Sequence, residues 1–356
     1  MKIVVTGASG NVGTALLRRL RMQPNYRLTG IVRRPPPSTS DPYRAARWRA
    51  CDVGAPEAPS ILAEEVAGAD AVVHLAWAIN APDRDPDPSR TNATGTRHVL
   101  DAVAKADVPR LVCMSSVAAY APAPRSTLVG ESWDCTGIDS IAYSRGKRLL
   151  ERSLSAFART RRGTSLAWLR PCGIVQHDAG GEFARWLLPA LIPGAPLGNI
   201  LPLPLWSHLR MQVVHADDVA RALEVLLSDD RAEGPFNIAG GPPMEARDLA
   251  RAIGGPRIPA PRSLLSLASS LAWRTGLAPL HPRWLELADR AALVSTDRAA
   301  VELGWSPAHT QASTLAEFAA GIRVGAGTAS DALAPSSLRA RLGEVRFGHP
   351  TYHSQT

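Results

Sequence analysis

The fold of this chain is decided by the stretch Lys2-Ile3-Val4-Val5-Thr6-Gly7-Ala8-Ser9-Gly10-Asn11-Val12-Gly13. A short run rich in β-branched residues leads directly into three glycines, spaced so that a tight turn can open a helix. Such a turn lets backbone N–H groups at the helix N-terminus approach a pyrophosphate. An ordinary strand-to-helix turn is the alternative. The residues expected to contact a dinucleotide here are Gly7, Ser9, Gly10, Asn11, Val12 and Gly13.

Strand-like and helix-like segments alternate through the first half of the chain. The predicted strands are Lys2–Val5, Arg27–Val32, Ala71–Leu75, Arg110–Ser115 and Thr164–Leu169, with Pro235–Ile238 as a late addition. Helical patterns such as Asn11–Met22 and Arg90–Lys105 lie between them. This alternation predicts an α/β fold with a doubly wound, parallel, Rossmann-type sheet.

The domain organisation follows from where that alternation stops. We expect a dinucleotide-binding Rossmann domain over residues 1–175, with 212–240 returning to it. Residues 176–211 and 241–325 are rich in Pro, Trp and Leu, and we assign them to a smaller, discontinuous substrate-capping lobe. Residues 326–356 begin with small, polar residues, so we expect a flexible tail or an arm that orders on a neighbouring subunit.

Composition and charge exclude several classes of protein. The chain has 356 residues, 45% of them hydrophobic, and a formal net charge of +8. Its basic residues are scattered arginines, and only Lys2, Lys105 and Lys147 are lysines. No basic run alternates with aromatic residues, so we expect no nucleic-acid partner. The most apolar stretch, Leu264–Leu280, is interrupted by Arg274, so we expect no membrane association.

Cysteine and histidine usage gives no sign of a metal. The four cysteines lie far apart and form no C-x-x-C pair, which predicts neither a zinc site nor a disulfide framework. The histidines form no metal-binding constellation. The first hydrophobic run leads straight into the glycine turn rather than forming a secretory signal, so we expect a cytoplasmic protein. We expect a small-molecule substrate as its partner, and whether two copies of the chain form a homodimer stays open.

The T-G-x-x-G-x-x-G spacing from Thr6 to Gly13 resembles the short-chain dehydrogenase/reductase superfamily. Later segments resemble its extended type, the NAD-dependent epimerase/dehydratase family, and the resemblance covers roughly residues 1–325. It implies that Asp52, with Val53 beside it, follows a third strand, which comes between Arg27–Val32 and Ala71–Leu75, and lies against the adenine amine.

Two further segments resemble parts of that family's cofactor site. The stretch His74-Leu75-Ala76-Trp77 is similar to an H-L-A-A motif, and the resemblance implies that the backbone of Leu75, Ala76 and Trp77 lines the cofactor. Pro171 belongs to a segment similar to the family's R-P motif, whose backbone meets the nicotinamide carboxamide. Asn92 lies in a segment similar to the family's Asn-x-x-Gly-Thr. Its amide bonds backbone across a helix kink or takes part in a proton relay, and both alternatives stay open.

The catalytic residues implied by the resemblance are Ser116, Tyr143 and Lys147. Ser116 follows the fifth strand at the family's spacing, and Ser115 is its competitor. Tyr143 and Lys147 form Tyr-x-x-x-Lys, which on a helix places both side chains on one face. Both also belong to the implied cofactor contacts, Lys147 through the nicotinamide ribose. A phenol needs nearby positive charge to act as an acid–base catalyst at neutral pH, and Lys147 and the oxidised nicotinamide would supply it.

The resemblance weakens where the extended family binds nucleotide sugars. Met211 and Gln212 stand where that group carries an Arg-Asp pair, and Arg210 lies one position early. Apolar residues of the capping lobe line an apolar pocket or form its core: Trp186, Leu187, Leu188, Leu201, Leu203, Leu205 and Trp206. We therefore expect an NAD(P)-dependent oxidoreductase acting on a carbonyl or secondary alcohol of a small, fairly apolar substrate. A nucleotide-sugar epimerase or dehydratase with tightly bound NAD is the first alternative, and a non-enzymatic dinucleotide sensor is the second.

Cofactor choice is predicted from the end of the second strand. An acidic side chain there, about 20 residues past the glycine turn, accepts from the ribose hydroxyls in NAD-specific enzymes. This strand ends in Arg33 and Arg34 instead, and no carboxylate follows before Asp41. A guanidinium suits a 2′-phosphate, so we expect a preference for NADP over NAD, with Arg33 as the main ligand and Arg34 in support. Two solvated arginines are the alternative.

Overall fold

The computed structural model describes residues 1–79, 90–161, 163–187, 202–275 and 281–336. Seven strands form one sheet in the order β7-β6-β5-β4-β1-β2-β3, and every neighbouring pair is parallel. The strands are β1 (Lys2–Thr6), β2 (Arg27–Val32), β3 (Ala46–Ala50), β4 (Ala71–His74), β5 (Arg110–Met114), β6 (Ser165–Pro171) and β7 (Gly234–Ile238). The predicted doubly wound parallel sheet is confirmed.

Helices cover both faces of this sheet, and further helices lie in the rest of the described chain together with four short two-stranded sheets. The helices are α1 (Asn11–Leu20), α2 (Ala58–Val66), α3 (Thr96–Lys105), α4 (Ala142–Thr160), α5 (Gly180–Leu187), α6 (Ala216–Ser228), α7 (Ala246–Ile253), α8 (Arg262–Arg274), α9 (Pro282–Arg290), α10 (Asp297–Leu303) and α11 (Gln311–Val324). No helix in the described ranges is long and apolar enough to cross a membrane.

The alternation of side chains along β1 explains the layering. Ile3 and Val5 are buried in the core on the side of α1 and α6, and Val4 is buried in the core on the side of α2, α3 and α4. Because both faces of the strand are covered, its sequence is continuously apolar rather than alternating.

One predicted helix differs from the structure in its first turns. The predicted helix Arg90–Lys105 is α-helical only from Thr96, and Arg90–Gly95 forms a π-helical segment. The Thr96 hydroxyl donates to the Asn92 carbonyl oxygen at 2.6 Å within this segment. Periodicity alone does not reveal such a local change in winding.

The chain divides into two compact units. The first comprises Met1–Ile174, Val214–Gly240 and Arg290–Ala308, and it contains the sheet. Its last segment differs from the prediction, which gave these residues to the capping lobe. Trp305 in that segment is fully buried and donates its indole N–H to the Asp218 carbonyl oxygen at 2.9 Å.

Side chains close the outer edge of β7 within the first unit. The Arg298 guanidinium donates to the carbonyl oxygens of Pro235 at 2.6 Å and Glu233 at 2.9 Å. The Glu131 carboxylate accepts from the Asn237 N–H at 2.8 Å.

The second unit is built from residues of 175–213, 241–289 and 309 onward. Its core includes an edge-to-face pair of Phe183 and Phe318, with ring centroids 5.0 Å apart. Trp206 is buried there and donates to the Asp289 carboxylate at 2.9 Å, and Leu205 packs against the same core. This favours the core interpretation for these two residues.

Residues 326–336, which begin the predicted tail, fold back within the second unit. The Gly181 N–H donates to the Ala326 carbonyl oxygen at 2.6 Å, and the Leu333 side chain is fully buried. Residues 337–356 of the predicted tail lie outside the described residues.

Candidate active site

The glycine turn has three glycines in different situations. Gly7 has a φ of +73°, and a Cβ there would lie 2.7 Å from the Ala76 nitrogen. A Cβ at Gly13 would lie 2.5 Å from the Ala8 carbonyl oxygen. A Cβ at Gly10 would meet only the Gly7 carbonyl oxygen, at an ordinary 3.5 Å. Gly7 and Gly13 are therefore required by packing, whereas the space in front of Gly10 is open.

Gly10 is also the N-cap of α1, and as a glycine it has no side chain with which to cap the helix. Asn11 donates its side-chain amide to the Ile174 carbonyl oxygen at 3.1 Å, while Ser9 is buried and Val12 is partly buried. An uncapped N-terminus behind an open glycine fits a dinucleotide pyrophosphate.

Asp52 lies just beyond the end of β3, as the sequence predicts. Its carboxylate accepts from the Gly54 N–H at 3.0 Å and from the Arg90 guanidinium at 2.6 Å. The next residue, Val53, is buried, and its carbonyl oxygen bonds His98 Nδ1 at 2.9 Å. The proposed contact between Asp52 and adenine stays a prediction.

The segment after β4 is fixed to the sheet by backbone bonds. The Leu75 N–H donates to the Thr6 carbonyl oxygen at 3.0 Å. The Asn92 amide bonds both backbone groups of Ala78, accepting from its N–H at 2.7 Å and donating to its carbonyl oxygen at 2.9 Å. In this structure Asn92 therefore bonds backbone. Pro171 is buried at the end of β6.

Ser116, Tyr143 and Lys147 are brought together at the carboxyl end of β5. The Ser116 hydroxyl hydrogen-bonds the Tyr143 phenol. The Lys147 ammonium lies 5.9 Å from the centre of the Tyr143 ring and donates to the Met114 carbonyl oxygen at 3.0 Å. Helix α4 places the tyrosine and the lysine one turn apart, on the face that packs toward β5.

Burial dominates the electrostatics of this cluster. It lowers the pKa of Lys147 to about 7, while the nearby charge of Glu151 acts in the opposite direction. Burial also raises the pKa of Tyr143, and its hydrogen bond with Ser116 only partly offsets that effect. The structure therefore differs from the expected lowering of the tyrosine pKa, because burial outweighs the Ser116 hydrogen bond in the chain alone.

Ser115 belongs to a different network. Its hydroxyl donates to the Glu151 carboxylate at 2.5 Å, and Trp168 donates to the same carboxylate at 2.7 Å. Arg170 binds both Glu151 oxygens, at 2.9 and 2.8 Å, and both side chains of this ion pair are almost fully buried. The geometry thus separates the two serines, since Ser116 bonds the tyrosine and Ser115 bonds Glu151.

This network holds α4 on the sheet, and its residues are not among the site residues predicted from the sequence. Arg170 also donates to the Tyr120 hydroxyl at 2.7 Å, which in turn donates to the Asn237 side-chain oxygen at 2.8 Å. A signal is present in the sequence, because Glu151 follows Lys147 by four residues and so lies on the same helix face.

Arg33 and Arg34 are both exposed at the end of β2. Asp41, the first carboxylate after them, is bound by Arg44 at 2.5 Å and by Arg21 at 3.3 Å. The Arg44 hydrogen bond lowers the pKa of Asp41. The carboxylate closest in sequence is therefore engaged by other arginines.

Arg210 and Gln212, at the site where nucleotide-sugar enzymes carry the Arg-Asp pair, make contacts within the second unit. Arg210 binds the Glu245 carboxylate at 3.1 Å, and Gln212 donates to the Gly241 carbonyl oxygen at 2.9 Å. Of the predicted apolar set, Leu188 and Leu201 lie outside the described residues, as do the side chains of Trp186 and Leu187.

Comparison with known proteins agrees with this architecture. The 2′-dehydrokanamycin reductase of Streptomyces kanamyceticus is 30% identical over 261 residues, which cover 70% of this chain and 64% of that protein. An uncharacterised protein of Mycobacterium tuberculosis (strain ATCC 25618 / H37Rv) is 28% identical over 328 residues, or 91% of this chain, and the chain spans only 30% of its length.

A solved structure shows the same fold. The UDP-glucose 4-epimerase of Thermus thermophilus, in complex with NAD, matches with a TM-score of 0.67 at 18% identity, over 91% of this chain and 99% of that chain. The family model described as NAD-dependent epimerase/dehydratase matches residues 3–239, from the first strand of the sheet through the last. Since that match takes in the glycine turn, helix α4 and every strand of the sheet, the chain belongs to the NAD-dependent epimerase/dehydratase family.

Proposed function

We propose that this chain is an oxidoreductase that exchanges hydride between NADP(H) and the carbonyl or secondary alcohol of a small, fairly apolar substrate. The observation that carries the proposal is the hydrogen bond between Ser116 and the Tyr143 phenol, beside the Lys147 ammonium. A phenol and a hydroxyl that already meet can both address one substrate oxygen. The name of the reductase relative supports a reductive reaction within the family.

Each residue has a defined part in this scheme. Tyr143 exchanges a proton with the substrate oxygen, and Ser116 hydrogen-bonds that same oxygen. Lys147 places a positive charge near the phenol and so favours its ionisation. The cofactor supplies hydride chemistry when it is bound, and the protein orients the reactants.

The open turn at Gly10 supports dinucleotide binding along α1, with the pyrophosphate at the helix N-terminus. The proposed preference for NADP rests on Arg33 and Arg34, which are exposed where a 2′-phosphate would lie, and on the engagement of Asp41 by Arg44 and Arg21. A dianionic phosphate gains charge-assisted hydrogen bonds from a guanidinium that the ribose hydroxyl of NAD does not.

The substrate class is proposed from the side chains of the second unit. Arg210 is paired with Glu245, and Met211 and Gln212 offer no guanidinium. A buried diphosphate without such a partner loses charge-assisted bonds worth several kcal/mol, on the order of 1.5–3 for each. An uncharged carbonyl compound carries no such requirement.

The proposal is tested by measuring consumption of NADPH at 340 nm with a panel of ketones and aldehydes. UDP- and dTDP-sugars are assayed in parallel, and mass spectrometry of the denatured protein identifies any cofactor that copurifies. We expect exchangeable NADPH and turnover of carbonyl compounds. In Tyr143→Phe, turnover falls below about a tenth, equivalent to more than roughly 1.4 kcal/mol of barrier, with NADPH affinity within a few-fold. A tightly held NAD together with conversion of a nucleotide sugar would instead identify an epimerase or dehydratase.

A further inference from the structure

The Trp77 side chain packs directly on the residues proposed to be catalytic. The Lys147 ammonium nitrogen lies 3.6 Å from the centroid of its ring. The Tyr143 ring meets the indole edge to face, with centroids 6.5 Å apart and planes at 89°. A Cβ at position 146 would lie 3.2 Å from the indole, so Gly146 leaves the space that the ring fills.

The surroundings of Lys147 make this contact important. The side chain is 2% exposed, and its ammonium donates to the Met114 carbonyl oxygen. The titratable groups around it are Glu151 and Tyr143 on its own helix, Cys113 on β5 and His74 on β4. The Glu151 carboxylate is bound by Arg170, by Trp168 and by Ser115. A buried ammonium loses the stabilisation that water gives it, and the indole face lies where it can replace part of that stabilisation.

We propose that Trp77 is a positioning residue whose indole face holds the Lys147 ammonium in place and in its charged form, and whose ring fixes the orientation of Tyr143. The relevance to catalysis rests on the proposed function, whereas the physical effect on the lysine does not.

The choice of tryptophan at this position supports the proposal. The indole Nε1 is buried, and it has no hydrogen-bond partner in the described part of the chain. Phenylalanine would fill much of the same space without burying an unpaired donor, which is normally unfavourable. Tryptophan offers the strongest π face for a cation, and this property accounts for its presence beside the lysine.

The effect is large enough to measure. Burial already brings the pKa of Lys147 to about 7, so its charge near neutral pH depends on what stabilises the ammonium. Loss of a desolvated cation–π contact is expected to lower that pKa by about one unit, a tenfold change in the protonation equilibrium.

The test uses the unusual composition of the chain. Because it contains three lysines, Lys2, Lys105 and Lys147, the full chain grown with ¹³C-labelled lysine gives three Cε signals. Their chemical shifts are followed from pH 5 to pH 11, and a Lys147→Arg sample assigns the signal. Trp77→Leu and Trp77→Met remove the π face, and Trp77→Phe restores a weaker one. Trp133→Leu removes an indole that bonds Ala121 instead, so it serves as the matched control.

We expect the Lys147 pKa to fall by about one unit in the Leu and Met variants, to fall less in Trp77→Phe, and to stay unchanged in Trp133→Leu. Far-UV circular dichroism and thermal unfolding report whether each variant is folded, and Trp77→Met carries the test if Trp77→Leu unfolds. The proposal is overturned if a folded aliphatic variant keeps a Lys147 pKa within about 0.3 of wild type. A shift that small corresponds to a negligible contact energy. The titration needs neither cofactor nor substrate, so failure of NADPH to bind would count against the proposed function alone.

Discussion

The Ser115 hydroxyl donates a hydrogen bond to the buried Glu151 carboxylate, although its neighbour Ser116 bonds the Tyr143 phenol. Ser115→Ala would leave a buried carboxylate short of one donor, which costs about 1–3 kcal/mol of unfolding free energy. We therefore expect Ser115→Ala to lower stability in urea unfolding while keeping turnover per folded molecule. Ser116→Ala should do the reverse and lower kcat with the smaller effect on stability. If Ser115→Ala is the variant that loses kcat, the assignment of the two serines is wrong.

Substitutions at Gly10 and Gly13 are expected to differ in effect, the first acting on cofactor binding and the second on stability. We expect Gly10→Ala to stay folded with a loss of about 1 kcal/mol or less, because alanine is a poorer N-cap than glycine although its Cβ meets only an ordinary contact. It should bind NADPH and NADH more weakly because the methyl group enters the open turn. Gly13→Ala should be destabilised by about 1–3 kcal/mol or more, because its Cβ would overlap the Ala8 backbone. Thermal unfolding and fluorescence titration measure the two effects. A Gly10→Ala protein with unchanged affinity for both dinucleotides would remove the turn from the cofactor site.

Arg33 is expected to decide between the two dinucleotides. Arg33→Ala should lose affinity for NADPH by about tenfold or more, the value of one charge-assisted hydrogen bond to a phosphate, with little change for NADH. Calorimetric titration of both cofactors into wild type and variant measures the selectivity. Arg27→Ala, at the opposite end of the same strand, is the matched control. Equal or tighter NADH binding by the wild type would defeat the preference for NADP.

The burial and the hydrogen bonds of His74 predict a specific dependence of stability on pH. The Thr96 hydroxyl gives its proton to the Asn92 carbonyl oxygen, so the ring Nε2 is the donor to Thr96 at 3.1 Å and Nδ1 accepts from Thr6 at 2.7 Å. The neutral ring is thus satisfied on both sides. Burial, followed by the charge of Lys147, lowers the pKa of His74 from 6.5 to about 4.

Because this pKa is lowered on folding, only the unfolded chain takes up the proton between pH 6.5 and 4. Stability from this residue is complete above pH 6.5 and is lost as the pH falls to about 4, by roughly 3 kcal/mol in total. Urea unfolding of wild type and His74→Gln across this range isolates the effect from that of the carboxylates. The same slope in both proteins would show that His74 is not responsible.

The sequence was sufficient to predict those parts of the structure that depend on local backbone geometry. The strand β2, Arg27–Val32, and the start of α1 at Asn11 were predicted at the residues where they occur. A glycine turn after an apolar strand has few other solutions, and a four-residue spacing such as Tyr143 to Lys147 can be read directly on a helix.

Contacts between distant segments could not be predicted in this way. The pairing of Glu151 with Arg170 depends on how α4 lies on the sheet, and neither residue type specifies the other from the sequence. The return of residues 326–336 depends on close backbone approach, since a Cβ at Gly181 would lie 2.7 Å from the Ala326 carbonyl oxygen. Small, polar residues suggest disorder by composition, yet they are also what such an approach requires.

The closed edge of β7 bears on how copies of this chain can associate. A strand added there by another molecule would have to bond the carbonyl oxygens of Glu233 and Pro235 and the N–H of Asn237, all of which are already held by Arg298 and Glu131. The ring of Pro235 also removes a donor from the same edge. This border of the sheet is therefore protected against the strand-to-strand growth that leads to aggregation, and a dimer of this protein would not form by adding a strand here.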